Sequence, residues 1–247
     1  LLLLASESAG GTYTFASSES ANAPQLAFHY ALATLTPTFT PTATATRTPT
    51  PGPTNTPSPT MAPTPTLVPG AVIFSATSDT YMSEWYPTEN YCRDPKLTVR
   101  KGDIVSSLIY FDLSSIPLGT TINGAWLNLY CTNRTNTGEM NALAYKVRRP
   151  WVDCEVNWTM ASSTLAWTVA GCNGEGTDRD QSAVAGIYLN SANSWWTLNL
   201  TQVVRDWVAN PSANRGLVFK GYGNVSVEYS FASADFGRPE FRPQLVI

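Results

Sequence analysis

The groups in this chain that could do covalent chemistry are few. There is one histidine, His29, and Ser-His-Asp catalysis needs such a base held against a serine and oriented by a carboxylate. His29 sits in a short N-terminal segment with no evident partner. Glycosidases need two carboxyl groups at a fixed separation. Asp153/Glu155 and Asp178/Asp180 are close in sequence, but two-residue spacing is ordinary for solvated strands and polar loops. The chain is therefore not expected to be an enzyme. The loop GEGTDRD carries oxygen donors, Asp178 and Asp180 among them, that could contribute to a structural calcium site. A plain polar loop is the competing reading, and no other cofactor is expected.

Cysteine offers a different chemistry. Cys92, Cys131, Cys154 and Cys172 make an even number in a chain with only 13% charged residues. In a Thr/Pro-rich, low-charge protein this reads as two disulfides in an oxidising compartment. Three pairings are open. Cys154–Cys172 with Cys92–Cys131 is favoured, because 154 and 172 bracket one long loop-like segment. Zinc is not expected, since no CxxC pair exists and the histidine is distant.

The elements that must position these groups fall into three regions. Residues 36–70 are a Pro/Thr-rich stretch, and proline fixes φ and withholds an amide donor, so neither helix nor sheet propagates through it. In polyproline conformation it spans about 100 Å, and dense Thr beside Pro suits an O-glycosylated stalk. Residues 71–247 are long enough for one packed domain, whereas 1–35 are too few to hold a core unaided. The net charge of −3 argues against nucleic acid, whose binding is dominated by Lys/Arg contacts to phosphate. Leu1 to Ala5 falls far short of the roughly 20 apolar residues of a membrane span, and it lacks the basic start of a signal peptide. A mature or truncated product is expected.

Residues 71–247 read as short strands between turns, at 71–76, 96–100, 106–113, 124–131, 142–147, 195–200, 217–220, 225–232 and 244–247. Ile109, Phe111 and Leu113 alternate on one face, as do Ala125, Leu127, Leu129 and Cys131, and Val225, Val227, Tyr229 and Phe231. Such a pattern predicts an all-β fold, an antiparallel, jelly-roll-like β-sandwich. A short helix is expected at 201–208, capped by Thr201 and stopped at Asn210-Pro211.

A repeat connects the two ends of the chain. Tyr13-Thr14-Phe15-Ala16-Ser17 recurs as Tyr229-Ser230-Phe231-Ala232-Ser233, and Pro24-Gln25-Leu26 as Pro243-Gln244-Leu245. Without a gap before the tyrosines, Leu1, Leu2, Leu3 and Leu4 fall on the apolar run that begins at Leu217. The N-terminal segment thus reads as the last three strands of a second copy of the domain. Its apolar residues, Leu1 to Leu4, Tyr13, Phe15, Leu26 and Phe28, would need covering. They could belong to a neighbouring copy in a tandem array, or add strands to another molecule.

A family resemblance runs through the whole of 71–247. Asp79-Thr80-Tyr81, Leu97-Thr98-Val99, the run from Phe111 to Pro117, Thr121-Ile122-Asn123-Gly124-Ala125, Arg149-Pro150-Trp151 and Val156-Asn157-Trp158-Thr159 resemble the DNRLRE domain. Val204 to Trp207, Asn214-Arg215-Gly216-Leu217 and Arg242-Pro243-Gln244-Leu245 do so as well. The resemblance implies an extracellular jelly-roll module, often classed as carbohydrate-binding, in multidomain surface or secreted proteins. Ala234 and Ser18 stand where the family has an arginine, and Cys92 where it has a glycine.

Aromatic residues are the stronger functional lead, because sugar faces stack on Trp and Tyr. Trp151, Trp158, Trp196 and Trp207 match framework positions of the family. Trp85, Tyr86, Tyr91, Trp126, Trp195 and Tyr222 do not, and are candidates for glycan stacking. Trp126 and Tyr130 face away from Leu127 and Leu129. Sequons at Asn133, Asn157, Asn199 and Asn224 add candidate glycosylation sites. Two functions follow as expectations. One is an extracellular structural or adhesive subunit of a fibre or surface layer, with like copies as partners and residues 1–30 adding strands. The other is a carbohydrate-binding module of a secreted or cell-surface protein, with polysaccharide as partner. No membrane insertion is expected in either.

Overall fold

A computed structural model describes residues 70–247. The assembly strands read from sequence, His29 and the Pro/Thr stretch lie outside the described residues. The described part is almost wholly β, with thirteen strands and one α-helix. In chain order the strands are β1 (Ile73–Ser75), β2 (Ser78–Ser83), β3 (Lys96–Arg100), β4 (Val105–Tyr110), β5 (Trp126–Arg134), β6 (Met140–Lys146), β7 (Met160–Ser162), β8 (Leu165–Ala166), β9 (Ala185–Leu189), β10 (Ser194–Asn199), β11 (Leu217–Tyr222), β12 (Glu228–Ala232) and β13 (Gln244–Val246). Eleven of them form one antiparallel sheet, in the order β1-β13-β5-β12-β3-β4-β11-β6-β9, with β10 also paired to β5 and β2 to β4. β7 and β8 form a separate hairpin. The sandwich-like, all-β fold expected from the alternation is the fold observed.

The sheet wraps a core to which β5 gives Leu127, Leu129 and Cys131, with Ala125 just before it, and to which β12 gives Tyr229 and Phe231, all buried. β11 reads as a continuous apolar run because both its faces are covered. Leu217 and Phe219 point into this core, while Val218 joins a second cluster with Met82, Leu108, Tyr145 and Trp158. That second cluster also takes in Val156, Ala161 and Trp167, which lie in and beside the β7–β8 hairpin. Lys220 is buried as well, and only Tyr222 at the end of β11 is exposed. The Lys220 Nζ, fully buried, donates to Asp103 Oδ1 at 3.0 Å, to Ser106 Oγ at 3.1 Å and to the Gly171 carbonyl. Val225 departs from the expected face: it is exposed, because β12 begins only at Glu228.

The helix, α1 (Thr201–Ala209), buries Val203, Val204, Trp207 and Val208 and ends at Asn210 before Pro211. Its start differs from expectation. Leu200 is the cap residue, and Thr201 is the first helical residue. The Asn199 side chain accepts the Thr201 N–H, and the Thr201 hydroxyl accepts the Ala125 N–H, so threonine ties the helix to β5.

The disulfide pairing is a correction. Cys92 bonds Cys154, and Cys131 and Cys172 are free and buried. The fold brings Cys92 and Cys154 together, with their Cα atoms 4.9 Å apart, while Cys131 is buried in the main core and Cys172 in the second cluster. Burial pushes both thiols up to about 12, which leaves them without thiolate character.

Every paired strand among the described residues finds its partner within 73–246. Deleting residues 1–30 is therefore expected to leave the unfolding free energy of the domain within about 0.5 kcal/mol of the full chain. Urea titration checks this.

Candidate functional site

The aromatic candidates are set out by strand register. Trp195 on β10 lies directly opposite Tyr130 on β5, and Trp126 lies four residues along the same outer face. Cross-strand aromatic pairs contribute about 0.5 kcal/mol or more to a sheet. Here a third ring joins them. Phe241, at the end of the 3₁₀ turn Pro239–Phe241, stacks on Tyr130 with centroids 4.0 Å apart and planes at 12°. Trp195 meets Tyr130 edge-on at 5.4 Å and Phe241 at 6.2 Å. The Arg238 guanidinium caps Phe241 from 4.2 Å. Trp195 and Tyr130 are thus half-buried beneath a turn. Sequence reading missed Phe241 and Arg238, since the turn has no periodicity that would place residue 241 over residue 130.

Trp126 stays exposed. Its ring lies across Gly124, where an added Cβ would come within 2.2 Å of it, so only glycine allows the ring to lie there. It rims an apolar groove of about 550 Å³ with Val72, Phe74, Ile116 and Ile247.

The other candidates lie elsewhere. Trp85 and Tyr86, 55% and 60% exposed, follow β2 on a loop, and Arg100 holds its guanidinium 4.7 Å from the Trp85 ring. Tyr91 is half-buried and stacks on Tyr81 at 4.1 Å. Tyr222 closes β11 and hydrogen-bonds Tyr145 through the two hydroxyls at 3.2 Å. Lys101 bridges Gly221, which brings the Arg100–Trp85 pair and Tyr222 to one end of the sheet. Trp126 and Trp195 thus share the outer face of β5–β10, Trp85 and Tyr222 lie toward that sheet end, and Tyr91 lies apart against Tyr81 of β2.

The weak calcium candidates, Asp178 and Asp180, are set among protein donors. The Asp178 carboxylate is buried and accepts four N–H bonds: from Arg149 Nε at 2.6 Å, from the Thr168 and Val169 amides at 2.9 Å each, and from Gly174 at 3.0 Å. Burial alone would raise its pKa, but these donors outweigh it and hold the group below the usual carboxylate range. Its lone pairs already face donors, which leaves none for a cation. Asp180 is paired with Arg148 at 2.6 Å and Lys146 at 3.6 Å. Arg149 and Trp151, quoted above as a motif, are fasteners: Arg149 binds Asp178, and the Trp151 indole donates to the Arg215 carbonyl at 2.9 Å. One group of metal-ligand type appears among the described residues, Cys92, Asp153 and Cys154, but its two sulfurs are spent in the disulfide.

The sequons also sort by surroundings. Asn133, Asn199 and Asn224 are exposed, and Asn157 is half-buried. The Asn157 Oδ1 accepts from both Thr159 and Met160, which ties that side chain into its turn.

These strands and motifs are shared with known sequences. Residues 79–247 match the disaggregatase related repeat domain, from β2 to the last residue. The chain belongs to this family. The family's description as a repeat is in keeping with the recurrence of Tyr229–Ser233 and Pro243–Leu245 as similar sequence at residues 13–17 and 24–26. No curated protein matches the chain.

Proposed function

We propose that this repeat is a non-catalytic extracellular module of structural or adhesive character, working in series with like modules along a fibre or surface layer. The observation that carries the reading is a recurrence in sequence: Tyr229–Ser233 and Pro243–Leu245 have their like at residues 13–17 and 24–26, on the far side of a Pro/Thr stretch. Such a stretch spaces modules at up to about 100 Å. The Cys92–Cys154 bond supports an oxidising compartment, and the DNRLRE resemblance supports the same setting. Immunogold electron microscopy of source cells, with antibody against residues 70–247, is expected to give rows of label outside the cell. Label confined to the cytoplasm, or single dispersed particles, overturns the reading.

A second reading, carbohydrate binding, is favoured by one observation: Trp126 and the Trp195–Tyr130–Phe241 stack occupy one face of β5–β10. A polysaccharide ligand would lie along that face. Trp195→Ala is then expected to weaken retention on a polysaccharide affinity gel about tenfold. Unchanged retention, or no retention of the unaltered chain on any gel tried, rejects it.

A further inference from the structure

Lys220 has no water around its amine, and burying an ammonium is costly unless it is paired. The backbone builds the pairing. β11 runs against the turn that joins β3 to β4: Lys101 bridges Gly221, and the Gly102 N–H donates to the Gly221 carbonyl at 3.2 Å. A Cβ on Gly221 would come within 2.7 Å of the Arg100 carbonyl, so glycine is what permits this approach. Gly102 and Asp103 then both take left-handed φ, 84° and 59°, a conformation uncommon for a residue other than glycine. The turn so formed sets Asp103 against Lys220, the residue before Gly221.

The side chains meet as a reacting pair would. Nζ lies 3.0 Å from Asp103 Oδ1. The Ser106 hydroxyl bridges the two, accepting from Nζ at 3.1 Å and donating to Asp103 Oδ1 at 2.9 Å. The Gly171 carbonyl accepts from Nζ as well, and the Trp158 ring covers it from 5.9 Å. Met82, Leu108 and Val218 pack beside Trp158 and keep the place dry. Burial pushes the Lys220 ammonium below the ordinary lysine range, with the Asp103 charge opposing. A neutral amine beside a neutral acid thereby gains on the ion pair.

We propose that Lys220 and Asp103 condense to an amide, a covalent cross-link between β11 and the β3–β4 turn. A proton first passes from the ammonium to Asp103 Oδ1, giving amine and carboxylic acid. The Nζ lone pair attacks Cγ and the Nζ–Cγ bond forms. Nζ releases a proton to Ser106 Oγ while the Ser106 hydroxyl proton moves to Oδ1. The Cγ–Oδ1 bond breaks and Oδ1 leaves as water. Nothing is oxidised or reduced, and no co-reactant is consumed. Well-oriented intramolecular partners react as if at about 10⁵–10⁸ M, which offsets the tendency of free amides to hydrolyse.

Peptide mass mapping tests this on the full chain, made in a host that does not glycosylate it, then unfolded, reduced, alkylated and digested with trypsin. Residues 102–134, which carry Asp103, are expected joined to the peptide that carries Lys220, the pair lighter by one water and uncut after Lys220. Asp103→Ala is expected to abolish the joined peptide and restore cleavage after Lys220, and Ser106→Ala to leave a fraction of the chains unjoined. If the unaltered chain gives the separate peptides at full mass, with trypsin cutting after Lys220, the two residues form a buried ion pair only and the proposal is overturned. A loss of water that maps to any other pair of residues overturns it too. The unaltered chain decides the matter even where a variant does not fold.

Discussion

Cys92→Ser is expected to lower the unfolding free energy of the domain by about 4 kcal/mol. The bond joins residues 62 apart, and closing a loop of that length removes about 4 kcal/mol of chain entropy from the unfolded ensemble. It also ties two regions that share few other links. Cys92 precedes β3, and Cys154 lies in the stretch that leads into the β7–β8 hairpin over the second hydrophobic cluster. Beside it, the Asn90 side chain donates to the Val156 carbonyl. In a domain of this size the loss corresponds to roughly 10 °C of melting temperature. A thermal melt of the variant, and of the unaltered chain in reductant, should fall together. Because Cys131 and Cys172 are buried and unpaired, Cys131→Ala should leave the response to reductant intact. A variant that melts with the unaltered protein would show that the bond does not constrain the unfolded chain.

The sequence declared some elements and concealed others for physical reasons. Lys96–Arg100 has the same bounds as expected, since Leu97 and Val99 alternate with polar neighbours and Pro95 and Gly102 bracket the strand. β11 was legible as an apolar run. β2, by contrast, reads SDTYMS, and no hydrophobicity pattern marks it. Asp79, Thr80 and Ser83 are all buried there, and Asp79 accepts the Ala234 N–H from a loop 155 residues away in sequence. Polar residues satisfied by distant partners look like loop to any local rule. β9 was hidden because Gly186 weakens its propensity, and β7 and β8 are too short to show a period. The disulfide was misread because spacing carries no information about which loops meet. For the aromatic face, alternation placed Trp126 and Tyr130 outward, but the register with Trp195 and the cover by Phe241 exist only in three dimensions.

The second large effect concerns pH and returns to β2. Burial pushes the Asp79 carboxyl up from 3.8 to about 7, with Asp153 and Asp235 adding to the rise and the Ala234 N–H and Arg242 opposing it. At 3% exposure it has little water to screen it. The folded protein therefore holds a proton on Asp79 at pH values where the unfolded chain has released it. Stability falls as pH rises from about 4, and the loss is complete just above pH 7. The gap between the two values amounts to about 4 kcal/mol. Asp153, raised to about 6 mainly by partial burial, adds a smaller change of the same sign. Asp79→Asn keeps an oxygen for the Ala234 N–H and cannot ionise. It is expected to match the unaltered protein near pH 4, to exceed it by up to about 4 kcal/mol at pH 8, and to flatten most of the slope between. Urea titrations at pH 4.5, 6 and 8 measure this directly. An unchanged slope in the variant would mean that Asp79 is ionised in the fold, and that Ala234 and Arg242 outweigh its burial.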